Sequence, residues 1–300
     1  MSIKDWSLAL LVVFAWGINF VIIRLGLEEL PPLLLGALRF SLVVFPAIFF
    51  VKPPAIPLRL LLSYGITISF GQFSLLFLAM HNGMPAGLAS LVLQSQMLFT
   101  LLFARFLLNE RWQLQQFIAI AVAGGGLALL ASQTSADQMT LIGFVLTIAA
   151  AACWGMGNII NRKIAQLGNV NLMSLIVWSG LLPIIPFALA SYVFEGPELM
   201  VNSLANASLQ SFAVVLYLAA IATLFGYGSW AYLMRHYPAS QVAPLTMLVP
   251  VVGLLTAWVV LDETLTLIQG SGILLIMAGL MINTFGGRLI TRLKRQPATL

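Results

Sequence analysis

Of the 300 residues, 61% are hydrophobic and only 8% charged, and the mean hydropathy is +1.02. A soluble domain keeps about 25% of its residues charged to wet its surface, so a water-facing globule of this size is excluded and lipid must be the main solvent. The net charge of +5, from 14 Lys and Arg against 9 Asp and Glu, implies no nucleic-acid partner, because the basic residues form no run outside the C-terminal tail.

Charged residues bracket ten apolar runs almost one by one. Run 1 (6–23) lies between Asp5 and Arg24 and carries Trp16-Gly17 and Asn19. Nine further runs follow it and no A-x-A-like site closes it, so it reads as a transmembrane helix rather than a cleaved signal peptide. Run 2 (30–51) lies between Glu29 and Lys52, with Arg39 at its middle and Pro46 beyond. Run 3, from Arg59 to His81, holds Gly65, Gly71 and Gln72; run 4, ending at Arg105, holds Ser90, Gln94 and Gln96. Run 5, between Arg111 and Asp137, contains Gly124-Gly125-Gly126, a packing seam and a candidate contact between protomers. Run 6 reaches Arg162 and contains Cys153, Trp154 and Asn158; run 7, from Lys163 to Glu195, contains Pro183 and Pro186. Run 8, from Glu198 to Arg235, holds Gly226, Tyr227 and Gly228. Run 9 carries Pro244 and Pro250 and ends at Asp262, and run 10 lies between Glu263 and Arg288. At 1.5 Å per residue, runs of about 18 residues or more cross a hydrocarbon core of about 30 Å. The runs are continuous rather than alternating, and a lipid-facing backbone must satisfy its own hydrogen bonds, so they are helices and not strands. The fold class is therefore all-α integral membrane with ten transmembrane helices.

Lys and Arg fall overwhelmingly on the side of the N-terminus: Lys4, Lys52, Arg59, Arg105, Arg111, Arg162, Lys163, Arg235 and the tail from Arg288. The other side receives Arg24 and most of the acids. The positive-inside rule then puts both termini in the cytoplasm of a multi-pass inner-membrane protein, with the basic tail facing lipid headgroups.

The halves echo each other. Trp16-Gly17 recurs as Trp154-Gly155, and Arg24 as Arg162, each 138 residues on; Asn19 has a near match in Asn158. Pro85-Ala86, Glu110, Gln116 and Gly126 recur as Pro238-Ala239, Glu263, Gln269 and Gly279, each 153 residues on. One insertion of about 15 residues, expected in the loop around Glu195–Ala207, reconciles the offsets. Residues 1–134 and 135–300 then form two five-helix repeats. Five is odd, so the second repeat enters the membrane from the opposite side, an inverted pair of the kind that places a substrate site near the midplane.

The Trp-Gly-x-Asn of run 1, the Pro32…Arg39-Phe40 of run 2, the Pro85-Ala86…Ala89 that opens run 4 and the Glu110 that closes it resemble the EamA family of drug/metabolite transporters. The second half repeats the pattern at Trp154-Gly155, Pro238-Ala239 and Glu263, so the resemblance covers nearly the whole chain. It is nearest to bacterial exporters of cysteine and O-acetylserine, and implies efflux of small amino acids or related metabolites. A broader drug or metabolite exporter is the alternative. The four-helix antiporters of the same superfamily use a glutamate in their first helix; no carboxylate lies within a run here. Proton coupling would fall to His81 and His236, which can titrate near neutral pH.

Arg39 is the charged residue lying deep within a run. Holding it there costs about 2.5–3.5 kcal/mol on the insertion scale. It is either an anchor for a substrate carboxylate or a structural tie within the bundle. Trp16, Asn19, Gln72, Ser90, Gln94, Trp154, Asn158 and Tyr227 complete the candidate binding set, as hydrogen-bonding groups and as aromatic faces for an ammonium. Ser90 and Gln94, four apart, share one helix face. Each such group could instead bridge neighbouring helices. An intramembrane enzyme would need paired aspartates, a Ser/His pair or HExxH at membrane depth, and there is none. No P-loop is present, so neither ATP, metal nor any other cofactor is expected. The expected partners are a small amino-acid-like solute and membrane lipid; monomer and homodimer stay equally open.

Overall fold

The computed structural model describes residues 1–45, 47–135, 139–168 and 170–295, and side chains within them other than those of Ala239 and 287–295. Pro46 and Asp137 lie outside the described residues, as do the side chains of the basic tail from Arg288. The regular secondary structure among the described residues is all helical, apart from an isolated bridge between Ser135 and Met139.

Among the described residues ten helices are long and apolar enough to cross a membrane: Ile3–Gly26, Pro32–Phe49, Leu58–His81, Ala86–Leu107, Leu114–Ala131, Leu141–Ala165, Leu172–Glu195, Leu209–His236, Ser240–Leu261 and Leu267–Gly286. We call these the first to tenth spans, the end bearing the N-terminus the near face, and the opposite end the far face. The expected insertion between the seventh and eighth spans is a short helix, Pro197–Ala205, rather than a loop. Gly196 at φ 93° lets the chain turn sharply into it, and Pro197 starts it without a missing donor.

The span starts are explained locally. Ser2, Thr140, Asn171 and Ser208 cap the first, sixth, seventh and eighth spans through their side-chain oxygens. Gln113 and Gln116 form a reciprocal cap at the fifth span, and Thr266 and Gln269 do so at the tenth. Two far-face starts have no side chain of their own to cap them and borrow one. Glu195 accepts the Leu33 and Leu34 amides of the second span, at 2.6 and 3.2 Å. Glu263 accepts the Ala86 and Gly87 amides of the fourth, at 2.7 and 2.9 Å. Glu29 ties the first far-face loop to the eighth span through the hydroxyls of Ser208 and Ser211, and these bonds hold its carboxyl below the usual carboxylate range.

Packing depends on glycines at crossings. A Cβ on Gly17 would stand 2.5 Å from Val252, and one on Gly155 would stand 2.7 Å from Phe99. A Cβ on Gly126 would meet Gly272 and Ile276, while one on Gly279 would meet Ala119 and Ala123. Of the expected Gly124–Gly126 seam, Gly126 alone is closed by a neighbouring span; Gly124 and Gly125 face open space. Gly65 abuts Leu182 and Ser179, and Gly226 abuts the Trp16 indole, so close approach accounts for both. The third and eighth spans also widen into π-helical stretches at Gly65–Gln72 and Tyr217–Phe225. These extra-wide turns sit at mid-span, as is common beside functional sites. Large apolar side chains such as Leu11, Phe14, Phe106, Trp258 and Val259 point outward, as a lipid-facing surface requires.

Candidate functional site

Arg39 is 2% exposed, the one charged side chain among the buried described residues. Its Nη2 donates to Thr223 Oγ1 at 2.9 Å, and Thr223 in turn donates to the Leu218 carbonyl. The guanidinium lies 4.1 Å from the centroid of the Phe73 ring and 5.9 Å from that of Phe40. Such cation–π contacts offset part of its desolvation. Phe40, Phe70, Phe73 and Phe187 pack edge-to-face and stacked behind it, a stiff wall that fixes where the charge stands. Arg39 Nε and Nη1 are buried and have no protein partner. Sequence reasoning left two roles open for this arginine: one arm is tied down by Thr223, and two donors are left over.

Arg39 lines a cavity of about 760 Å³, counting its open side. Trp16, Asn19, Arg39, Gln72, Ser90, Gln94, Trp154 and Tyr227 all line it, together with Phe20, Phe73, Leu76, Leu93, Gln96, Ala222, Thr246 and Val249. Of the four other buried side-chain atoms without partners among the described residues, Asn19 Oδ1 and Gln72 Oε1 are acceptors on lining residues, while Ser95 Oγ and Ser191 Oγ lie on residues outside the lining. Unpaired buried polar atoms are costly and uncommon in a finished fold. Arg39, Asn19 and Gln72, which carry two donors and two acceptors of this kind, all line this space.

The other lining groups are positioned by partners. Trp16 Nε1 donates to the Ala222 carbonyl at 2.9 Å, and its ring packs against Tyr227 and Trp230. Gln94 Nε2 reaches the Thr246 carbonyl at 3.3 Å. Ser90 Oγ donates to the Gly87 carbonyl at 2.6 Å, which turns its hydroxyl back on its own helix. A second space of about 320 Å³ lies behind Arg39 toward the near face, lined by Tyr64, Ile68, Ser69, Ile176 and Ser179. Arg39, Phe73 and Tyr227 form the wall common to both spaces.

Three sequence candidates lie outside the cavity. Asn158 donates to Gln96 Oε1 at 2.6 Å and to Thr100 Oγ1 at 3.1 Å, bridging the sixth and fourth spans. His81 and His236 close the third and eighth spans at opposite faces, both exposed; His236 Nδ1 stands 2.8 Å from the Tyr232 carbonyl. Thr223, which holds Arg39, was missed. It sits four residues before Tyr227 on the same helix, a spacing that could have singled it out. Among the described residues no cluster of His, Cys, Asp and Glu could hold a metal ion.

The model of the EamA-like transporter family matches residues 6–132 and 141–285. A probable amino-acid metabolite efflux pump of Salmonella typhimurium is 53% identical over 290 residues, which cover 96% of this chain and 97% of that protein. A protein of the same description from Escherichia coli is 51% identical over the same span of both. An uncharacterized transporter of Bacillus subtilis is 25% identical over 283 residues, 91% of this chain and 94% of its own. One crystal structure, 19% identical, superposes with a TM-score of 0.65 over 97% of this chain and 99% of its own, which supports the fold alone.

Proposed function

The chain belongs to the EamA-like transporter family, and from that premise we propose that it exports small zwitterionic amino-acid metabolites across the inner membrane by alternating access. The observation that carries this reading is the set of unpartnered atoms around one mid-span cavity. Arg39 keeps free donors at Nε and Nη1 to offer a solute's α-carboxylate. Asn19 Oδ1 and Gln72 Oε1 are acceptors for an α-ammonium, which Trp16 and Trp154 can face. A single fixed cation suits a solute with one accessible anionic group and disfavours phosphorylated sugars. The relatives named as amino-acid metabolite efflux pumps support the class, and the resemblance noted in the sequence points within it to cysteine and O-acetylserine.

Each half, residues 1–134 and 135–300, is one five-helix repeat in this reading. Its support is reciprocal packing at the sequence offsets: Gly17 meets Val249 and Val252, and Gly155 meets Gln96 and Phe99, displaced by 138 and 153 residues. Placing the near face in the cytoplasm follows from its Lys and Arg. The test is efflux of labelled cysteine and O-acetylserine from loaded proteoliposomes, wild type beside Arg39→Ala and Arg39→Lys. Saturable efflux is expected, reduced about tenfold or more in Arg39→Ala, on the order of a lost charged hydrogen bond. Arg39→Lys keeps the charge without the planar fork and should fall between. No flux of either solute through a folded, inserted protein would overturn the reading.

A further inference from the structure

The fourth and ninth spans end alike. Each closes on a left-handed residue, Asn109 or Asp262, both at φ 53°, and each is followed by a glutamate. The glutamate amide returns to the same place in both: Glu110 to the Ala104 carbonyl and Glu263 to the Ala257 carbonyl, each at 3.3 Å. These residues are all related by 153 positions. Their carboxylates, however, do different things. Glu263 crosses to the fourth span and accepts its first two amides, Ala86 and Gly87. Glu110, at the near face, pairs with Arg162 at 2.9 Å, with both side chains about half exposed.

The surrounding packing matches the bond made. At the far face the spans are pressed together: a Cβ on Gly87 would meet Ala257 and Leu254 within 3.2 Å, and one on Gly253 would stand 2.5 Å from Ser90. The Glu263 cap therefore lies across a closed seam. The counterpart of Ala86-Gly87 at the near face is Ala239-Ser240, again preceded by a proline. The counterpart of Arg162, 138 residues back, is Arg24 at the far face, and among the described residues the Glu110–Arg162 pair is the one ion pair.

We infer that Glu263 and Glu110 are a pair of alternating latches for the transport cycle. In the state seen here Glu263 caps the fourth span and holds the far face shut, while Glu110 rests on Arg162. In the opposite state Glu110 caps the start of the ninth span and holds the near face shut, while Glu263 rests on Arg24. The chemistry is the same on both sides: a carboxylate exchanges the positive end of a helix for a guanidinium, so neither state leaves it unpartnered. This rests on the alternating-access reading but on no particular solute.

The test is access to a cysteine at cavity position 94, Gln94→Cys with Cys153→Ser, modified by a membrane-impermeant methanethiosulfonate from either face of sealed vesicles. No solute is needed, so a wrong substrate assignment leaves the outcome untouched. Glu263→Ala should raise the ratio of far-face to near-face modification about fivefold or more, the lower end of ordinary coupling between sites. Glu110→Ala should lower it. Arg162→Ala, which frees Glu110 to latch, should raise it, and Arg24→Ala should lower it. Glu110→Ala and Arg162→Ala break the same ion pair, so a purely structural pair would move the ratio the same way in both. Equal signs, or no change in either, would overturn the latch. That comparison stands even where Glu263→Ala fails to insert.

Discussion

Asn19 and Asn158 are near matches in the repeat and share the same distance from a Trp-Gly pair to within one residue, yet they have different work. Asn19 leaves Oδ1 unpartnered at the cavity, whereas Asn158 spends both amide hydrogens on Gln96 and Thr100. Nothing in one sequence separates them, because which face of a helix a side chain takes is decided by the neighbouring span. Arg39 was legible for the opposite reason: a charge at mid-span has few tolerable surroundings, so its position alone marks it. The contrast gives a prediction. Asn19→Leu and Gln72→Leu should raise the KM for efflux severalfold, about 1 kcal/mol for each lost hydrogen bond, with little change in thermal stability. Asn158→Leu should leave KM unchanged and lower stability by about 0.6 kcal/mol, the mean for a hydrogen bond between membrane helices. Efflux kinetics and thermal unfolding in detergent, run side by side on the three variants, separate the classes. A KM effect in Asn158→Leu equal to that in Asn19→Leu would place Asn158 at the solute after all.

At the level of elements, the ten spans could be read from the sequence because the hydrocarbon thickness and the backbone's own hydrogen bonds leave helices of fixed minimum length. What could not be read was which glycines matter. Gly124-Gly125-Gly126 stood out as a run, but only Gly126 has a neighbouring span against it; the isolated Gly17 and Gly253 sit in tighter crossings. The π-helical widening at Gly65–Gln72 and Tyr217–Phe225, and the helix at Pro197–Ala205, were likewise invisible to hydropathy. Gly17→Ala and Gly253→Ala put a methyl 2.5 Å from Val252 and Ser90 respectively. Each should cost about 1–3 kcal/mol by overpacking, and lower the melting temperature accordingly. Gly125→Ala meets nothing within 4 Å and should be neutral or stabilising by up to about 1 kcal/mol. Thermal unfolding of the three variants is the measurement. Equal losses at all three positions would mean that an undetected partner, such as a second protomer, covers Gly125.

Taken whole, the molecule has one buried cation and no buried carboxylate among its described spans, and this bears on what drives it. A zwitterion carries no net charge, and Arg39 is fixed to Thr223 and the aromatic wall rather than carried across. One export cycle then moves no net charge, and the membrane potential has nothing to act on; a single transferred charge would be worth about 2.3 kcal/mol per 100 mV. Nor is there a buried acid among the residues lining the cavity to carry a proton back, and the two histidines stand exposed at opposite faces, outside that lining. Export should therefore run down the metabolite's own gradient. In proteoliposomes loaded with cysteine or O-acetylserine, clamping the potential with potassium and valinomycin at zero or about 100 mV should leave the initial efflux rate unchanged. An imposed pH gradient, at constant internal pH, should do the same. Acceleration by an inward proton gradient would show that a proton returns as the solute leaves, and a fixed electrical dependence would show that the transported species is not the neutral zwitterion proposed.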